Sequence, residues 1–171
     1  MESDSNNILI NDSCILFDLV DLNLLDDFFQ LEFSYYTTSS VIEEVVDDSQ
    51  MSLIKAYISK NKLIVDNQGL LESIESIYDL YPSLSFTDSS VLELTKRKKG
   101  ILLSSDKSLR KISKQNGINV KGLLWVIRNL VEMNVISSEK AIERLNLYPQ
   151  INVRAPIKEI KKCKQELMNL K

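Results

Sequence analysis

The chain of 171 residues contains no histidine. That absence removes Ser/His and Cys/His nucleophilic pairs, histidine-ligated zinc and paired-histidine ribonuclease chemistry. Catalysis would have to rest on carboxylates and on the hard, oxygen-preferring cations they hold, Mg2+ or Mn2+. Cysteine is scarce too: Cys14 and Cys163 stand near opposite ends of the chain without CxxC spacing, which offers neither a disulfide framework nor a zinc site. Cys14, in the run Cys14-Ile15-Leu16-Phe17, reads as a small buried hydrophobe. Only 4 glycines and 3 prolines are present, too few for the turn chemistry of an all-β protein. No apolar run approaches the roughly 18 to 20 residues that cross a bilayer. The stretch from Met1 to Asn7 is acidic and polar, without the basic and then apolar pattern of a secretory signal. A cytosolic protein with no membrane contact is expected.

What is present suits a folded unit, with 44% apolar and 26% charged residues. The net charge of −3 conceals a polarity: residues 1–95 carry 18 acidic and 3 basic side chains, and residues 96–171 carry 6 and 18. An acidic part can gather metal while a basic part attracts phosphate, although two solvated faces that attract each other explain the same asymmetry.

Short apolar runs at Ile8–Ile10, Phe33–Tyr36, Leu63–Val65, Ile101–Leu103 and Ile118–Val120 read as strands buried on both faces. Between them, apolar residues recur at helical spacing: Leu22, Leu25, Phe28 and Phe29; Leu70, Leu71, Ile74, Ile77 and Tyr78; Val91, Leu92 and Thr95. Alternating strands and helices predict a three-layer α/β/α sandwich with a mainly parallel sheet. Ser40 with Glu43, and Ser90 with Glu93, have capping-box spacing, and Asn116-Gly117 is a helix stop. Beyond Gly122 the pattern is helical, around 123–133, around 139–147 and again after Pro156, with a hinge expected at 148–155. The organisation expected is a core domain over 1–135 with a helical extension over 136–171.

In an open parallel sheet, ligands bind beyond the carboxyl ends of the strands. Asp12 follows the first run and Asp106 the fourth, while Asp88 and Glu43-Glu44 stand where helices start. Singly, Asp88 and Asp106 read as helix caps worth about 1 kcal/mol. Together, carboxylates packed at one sheet edge repel one another unless protonated or metal-bound, so a cluster would imply a cation.

The joint pattern resembles the PIN-domain family, many of whose prokaryotic members are VapC-type ribonuclease toxins. Ile8-Leu9-Ile10-Asn11-Asp12-Ser13 is similar to that family's opening strand, and Thr38-Ser39-Ser40-Val41-Ile42-Glu43-Glu44-Val45 to its helix with the second acid, where Glu44 matches better than Glu43. Ser85-Phe86-Thr87-Asp88 resembles the third segment and Leu102-Leu103-Ser104-Ser105-Asp106 the fourth; Thr95 and Ser104 depart from the usual residues, and the likeness runs over about 8–130. The resemblance implies metal-assisted RNA hydrolysis. One or two Mg2+ or Mn2+ ions on Asp12, Glu44, Asp88 and Asp106 would be supported by Ser13 and Ser104, with Lys96, Arg97, Lys98, Lys99, Lys107, Arg110, Lys111 and Lys114 tracking the phosphates. It also implies a homodimer and an antitoxin partner. Two other readings stand beside it. One is a receiver-like signalling module phosphorylated at Asp66, with Ser104 and Lys121 in attendance. The other is a binding protein that keeps the nuclease fold without turnover.

Overall fold

A computed structural model describes residues 7–169; the acidic opening Met1–Asn6 lies outside them. Five parallel strands form one sheet in the order β3-β2-β1-β4-β5, with β1 at Ile8–Asn11, β2 at Ser34–Thr38, β3 at Leu63–Asp66, β4 at Ile101–Leu103 and β5 at Val120–Lys121. The central strands carry apolar residues on both faces because both faces are covered: Leu9, Ile10, Leu102 and Leu103 have no exposure. The edge strand β3 alternates instead, with Leu63 buried and Ile64 exposed. β5 starts two residues later than the apolar run. The chain is still closing a helix there, with Gly117 in the left-handed region (φ 73°) and the Ile118 amide donating to the Ser113 carbonyl.

Ten helices are described: α1 Ser13–Asp21, α2 Leu25–Phe28, α3 Ser39–Glu43, α4 Asp48–Ser59, α5 Leu71–Leu80, α6 Phe86–Lys98, α7 Lys107–Gln115, α8 Leu123–Glu132, α9 Ser138–Ile151 and α10 Ile157–Met168. The α/β/α architecture with a helical C-terminal part is therefore as expected. Both expected capping boxes are displaced. Thr38, not Ser40, caps α3 by accepting from the Val41 amide at 3.3 Å, and Ser85 and Asp88 form the box that opens α6. Ser90 is a helix-interior residue whose hydroxyl bonds the Thr87 carbonyl. The earlier start adds residues 86–90, of which Ser89 and Ser90 are buried, ahead of the apolar face of Val91, Leu92 and Leu94, each worth roughly 1.5–3 kcal/mol. The expected face of Leu22, Leu25, Phe28 and Phe29 is buried but divided between the α1–α2 turn and α2. α4 gives little sequence signal, since Ile54 is its one buried residue. Within the stretch 148–155 the helix α9 continues to Ile151, and the break before α10 falls at 152–156, where the Asn152 and Ala155 amides are bonded to the carbonyls of Tyr148 and Asn152.

The chain folds as two compact units. The segment ending at Leu16 joins Phe33–Lys121 and holds the sheet with α3 to α7; Phe17–Glu32 joins the segment from Gly122 and is helical. In the helical unit α10 packs on α8 and α9, burying Ile160, Cys163 and Leu167. There the buried Asp18 carboxylate accepts from the Tyr148 hydroxyl at 2.8 Å and the Asn152 amide at 3.0 Å. Among the described residues no helix is long and apolar enough to cross a membrane.

Candidate active site

Parallel pairing delivers every strand's carboxyl end to one edge of the sheet unit, and β1 hands over directly to Asp12. Asp12 is 4% exposed. Oδ1 accepts from the Ser13 amide at 2.8 Å; Oδ2 accepts from the Ser104 hydroxyl at 2.6 Å and the Cys14 thiol at 3.1 Å. Burial pushes the Asp12 pKa above the ordinary carboxylate value, the bonds from Ser104 and Cys14 oppose the rise, and the charge of Asp88 adds to it.

Ser104 also accepts from the Asp106 amide at 3.0 Å, so one hydroxyl ties the ends of β1 and β4 together. Asp106 caps α7 through Oδ1, which accepts from the Leu109 amide at 2.8 Å. Asp88 takes the third position of α6 and accepts from the Ser85 amide at 2.8 Å through Oδ2. Its pKa is raised, first by burial, against the bonds from Ser85, and then by the charges of Asp106 and Glu44. Asp88 is thus in electrostatic reach of all three other acids. Glu44, the residue that ends α3, is the neighbour it feels; Glu43 is not among the causes of its shift.

The basic residues divide between two places. Lys107 and Lys111 are exposed on α7, which starts at Asp106, and so is Lys114 further along it. Arg110 on the same helix is committed to structure, donating to the carbonyls of Ser104 (2.6 Å) and Lys121 (2.8 Å). Lys96 to Lys99 end α6, about 12 Å of helix away from Asp88 at 1.5 Å per residue. There Arg97 binds Asp66 at 2.7 Å and Glu93 at 2.9 Å, and Lys98 lies 3.7 Å from Asp66 and over the Tyr36 ring. Lys96 and Lys99 line a cavity of about 330 Å3 with Asn116 and Asn119. The α6 cluster is therefore not brought to the acids; on α7, Lys107 adjoins Asp106, Lys111 follows a turn later, and Lys114 lies at the far end of the helix.

Sequence reasoning missed three side chains. The Cys14 thiol bonds Asp12, and Thr38 and Ser90 share a buried hydroxyl–hydroxyl bond of 2.9 Å that joins α3 to α6. The only available signal was proximity, since Cys14 stands two residues after Asp12 and Ser90 two after Asp88.

Five parallel strands with Asp12 and Asp106 beyond the ends of β1 and β4 make this an α/β protein with acids at the carboxyl edge of its sheet. The chain belongs to the PIN-domain family: a family model described as a PIN domain matches residues 8–168, through the C-terminal helices. No curated protein matches it. PIN domains are generally nucleases and typically use divalent metals.

The donor set fits such an ion, being oxygen throughout apart from Cys14, as hard divalent cations require. Its placement is not a ready cage: among the described residues no three of His, Cys, Asp and Glu stand close enough to hold one ion. Asp88 and Asp106 are turned onto the helix starts they cap, and Asp12 onto its three donors. Mg2+ keeps several waters and commonly takes one or two carboxylates, so paired acids rather than a closed cage suffice for it.

Proposed function

We propose that the chain is a metal-dependent endoribonuclease, with Asp12, Glu44, Asp88 and Asp106 holding one or two Mg2+ or Mn2+ ions. The observation that supports this reading is electrostatic. Among the described residues none of the four acids forms an ion pair with a lysine or arginine, although burial and neighbouring acids raise the pKa of Asp12 (through Asp88) and of Asp88 (through Asp106 and Glu44). When bound, a divalent cation there supplies Lewis acidity and neutralises charge on the phosphate and the attacking water.

The chain's own residues set up the rest. Ser13, Ser104 and Cys14 fix the Asp12 carboxylate, and Ser104 carries that order to the Asp106 backbone. Lys107, Lys111 and Lys114 offer charge along α7 for an RNA backbone. Hydrolysis by water needs no covalent enzyme intermediate, and Cys14 is no candidate for one: burial and the Asp12 charge push its thiol well above the ordinary range. In keeping with the resembling toxins, the proposed setting is the cytosol, as the toxin of a toxin–antitoxin pair, with an antitoxin that covers the acids and a homodimer as the working form.

Purified protein with single-stranded RNA should give cleavage that requires Mg2+ or Mn2+ and falls by at least about 100-fold in Asp12→Asn. Cleavage that survives that substitution would place the chemistry elsewhere. The capping bonds that occupy Asp88 and Asp106 favour one other reading, a PIN-fold binder without turnover, which would show no Mn2+ binding by calorimetry. The receiver-like reading loses its support, because Asp66 lies on the edge strand and is taken by Arg97 and Lys98.

A further inference from the structure

Three of the four acceptor positions of the Asp12 carboxylate are filled, and the least expected donor is a thiol. Cys14 does more than donate. Its sulfur accepts from the Ser105 amide at 3.2 Å and lies 3.8 Å from the Ser104 hydroxyl, which itself bonds Asp12 at 2.6 Å. The thiol therefore closes a ring with Asp12 and Ser104, and it anchors the start of α1 to the turn between β4 and α7. The acids arrive on separate segments, and side chains tie Asp12 to the turn that leads to Asp106: Ser104 holds the Asp106 amide and Cys14 the Ser105 amide, beside the backbone bond from the Asp12 amide to the Leu103 carbonyl at 3.1 Å.

We infer that Cys14 is a positioning residue for the acid cluster, its thiol holding Asp12 in one rotamer and locking the β1–α1 junction to the β4–α7 turn. The inference rests on the metal-site reading above and adds a specific supporting group to it. A hydrogen-bonded partner behind a metal-ligating carboxylate orients it, and losing such a partner commonly costs about 10-fold or more in metal affinity. Alanine removes both the donor and the acceptor, whereas serine keeps both on a slightly shorter reach. A role limited to filling space predicts the opposite ranking, because a hydroxyl is a poorer substitute than a methyl for a buried hydrophobe.

The test is calorimetric Mn2+ titration of wild type, Cys14→Ala and Cys14→Ser, with RNA cleavage resolved into kcat and KM. Alanine is expected to weaken Mn2+ binding about 10-fold and to lower kcat more than it raises KM. Serine is expected to recover most of the affinity. Should alanine misfold, Cys14→Val, nearer the thiol in size and without a hydrogen-bonding group, takes its place. It too is expected to weaken Mn2+ binding. Alanine or valine binding Mn2+ as tightly as wild type overturns the inference while leaving the metal reading intact. Serine no better than alanine overturns it as well. Wild type that binds no Mn2+ sinks the metal reading and the inference together.

Discussion

Two groups of carboxylates in the sheet unit are built from the same residues and settled in opposite ways. Asp66 and Glu93 are met by the chain's own cations: Arg97 bridges both, and Lys98 stands by Asp66. Burial would raise the Asp66 pKa, but the bonds and charge of Arg97 outweigh it and hold the group below the usual carboxylate value. Asp12, Glu44, Asp88 and Asp106 have no such partner among the described residues, and the pKa values of Asp12 and Asp88 are raised. A fold able to place an arginine between two acids in one spot has left the other group uncompensated. Charge left uncompensated within a fold costs stability, and perturbed carboxylates of this kind concentrate where a site awaits a ligand.

The largest expected effect breaks the comparison at Asp12. Asp12→Asn should remove RNA cleavage by at least about 100-fold, yet the metal-free protein should melt close to wild type, because the loss of a repelling charge offsets the loss of the acceptor that Ser104 and Cys14 share. Loss of cleavage accompanied by a large fall in melting temperature would instead make Asp12 a structural residue. Mn2+ should erase the penalty in wild type, by about 2.7 kcal/mol at 100 times its Kd, and should do far less in the variant. The pH dependence follows in sign. Raised carboxylate pKa values contribute stability below the unfolded-state value near 3.8, and this contribution is lost as pH climbs through the folded values. For Asp66, held low, the contribution is present above its unfolded-state value and is lost as pH falls through the folded one. Removing both Asp12 and Asp88 charges by asparagine should therefore flatten the decline of metal-free stability above about pH 4, measured by thermal melts across pH.

Arg97→Met tests the compensated group. It leaves Glu93, 8% exposed, and Asp66 without the guanidinium, at a cost of about 1–3 kcal/mol once partial solvent screening is allowed for. For a chain of this size that is a fall of roughly 2–4 °C per kcal/mol. Adding Asp66→Asn should recover part of it. Mn2+ affinity should not move, since this group belongs to the scaffold; a parallel loss of Mn2+ binding would show that the two groups are coupled.

Much of this was legible in the sequence for a physical reason. Strands covered on both faces must be continuously apolar, so Ile8–Ile10 and Ile101–Leu103 announced β1 and β4 almost to the residue, and parallel pairing then put Asp12 and Asp106 at one edge. The helix starts were less legible. Serine three residues before an acid occurs twice around α6, at Ser85 and at Ser90, and the fold forms the reciprocal bonds at the first, while the Ser90 hydroxyl turns to the Thr87 carbonyl. The partners of the charges were not legible at all. Arg97 reaches Asp66 across 31 positions in sequence, so a basic run that reads as a nucleic-acid track is half spent on ion pairs. Nor did anything in the apolar run Cys14-Ile15-Leu16-Phe17 show that the thiol faces a carboxylate, since helix α1 begins between Asp12 and that run and turns the side chain back.

The smallest effect concerns the lysines and sharpens the same contrast. If RNA runs along α7 beside the acids, Lys111→Ala should lower the slope of log binding constant against log salt by about 0.7, the value for one lost phosphate contact on a single strand. Affinity at moderate salt should fall only a few-fold, without a change in melting temperature, because Lys111 is exposed. Lys99 is equally exposed but ends α6, away from Asp88. Lys99→Ala should leave the slope as it is, unless the substrate wraps from the acids to the cavity that Lys96 and Lys99 line. Fluorescence anisotropy of a labelled RNA in Ca2+, which can occupy oxygen sites while slowing turnover, measures both slopes. Equal slopes for both variants would show that the α6 end also touches RNA, so that the basic run serves both the scaffold and the substrate.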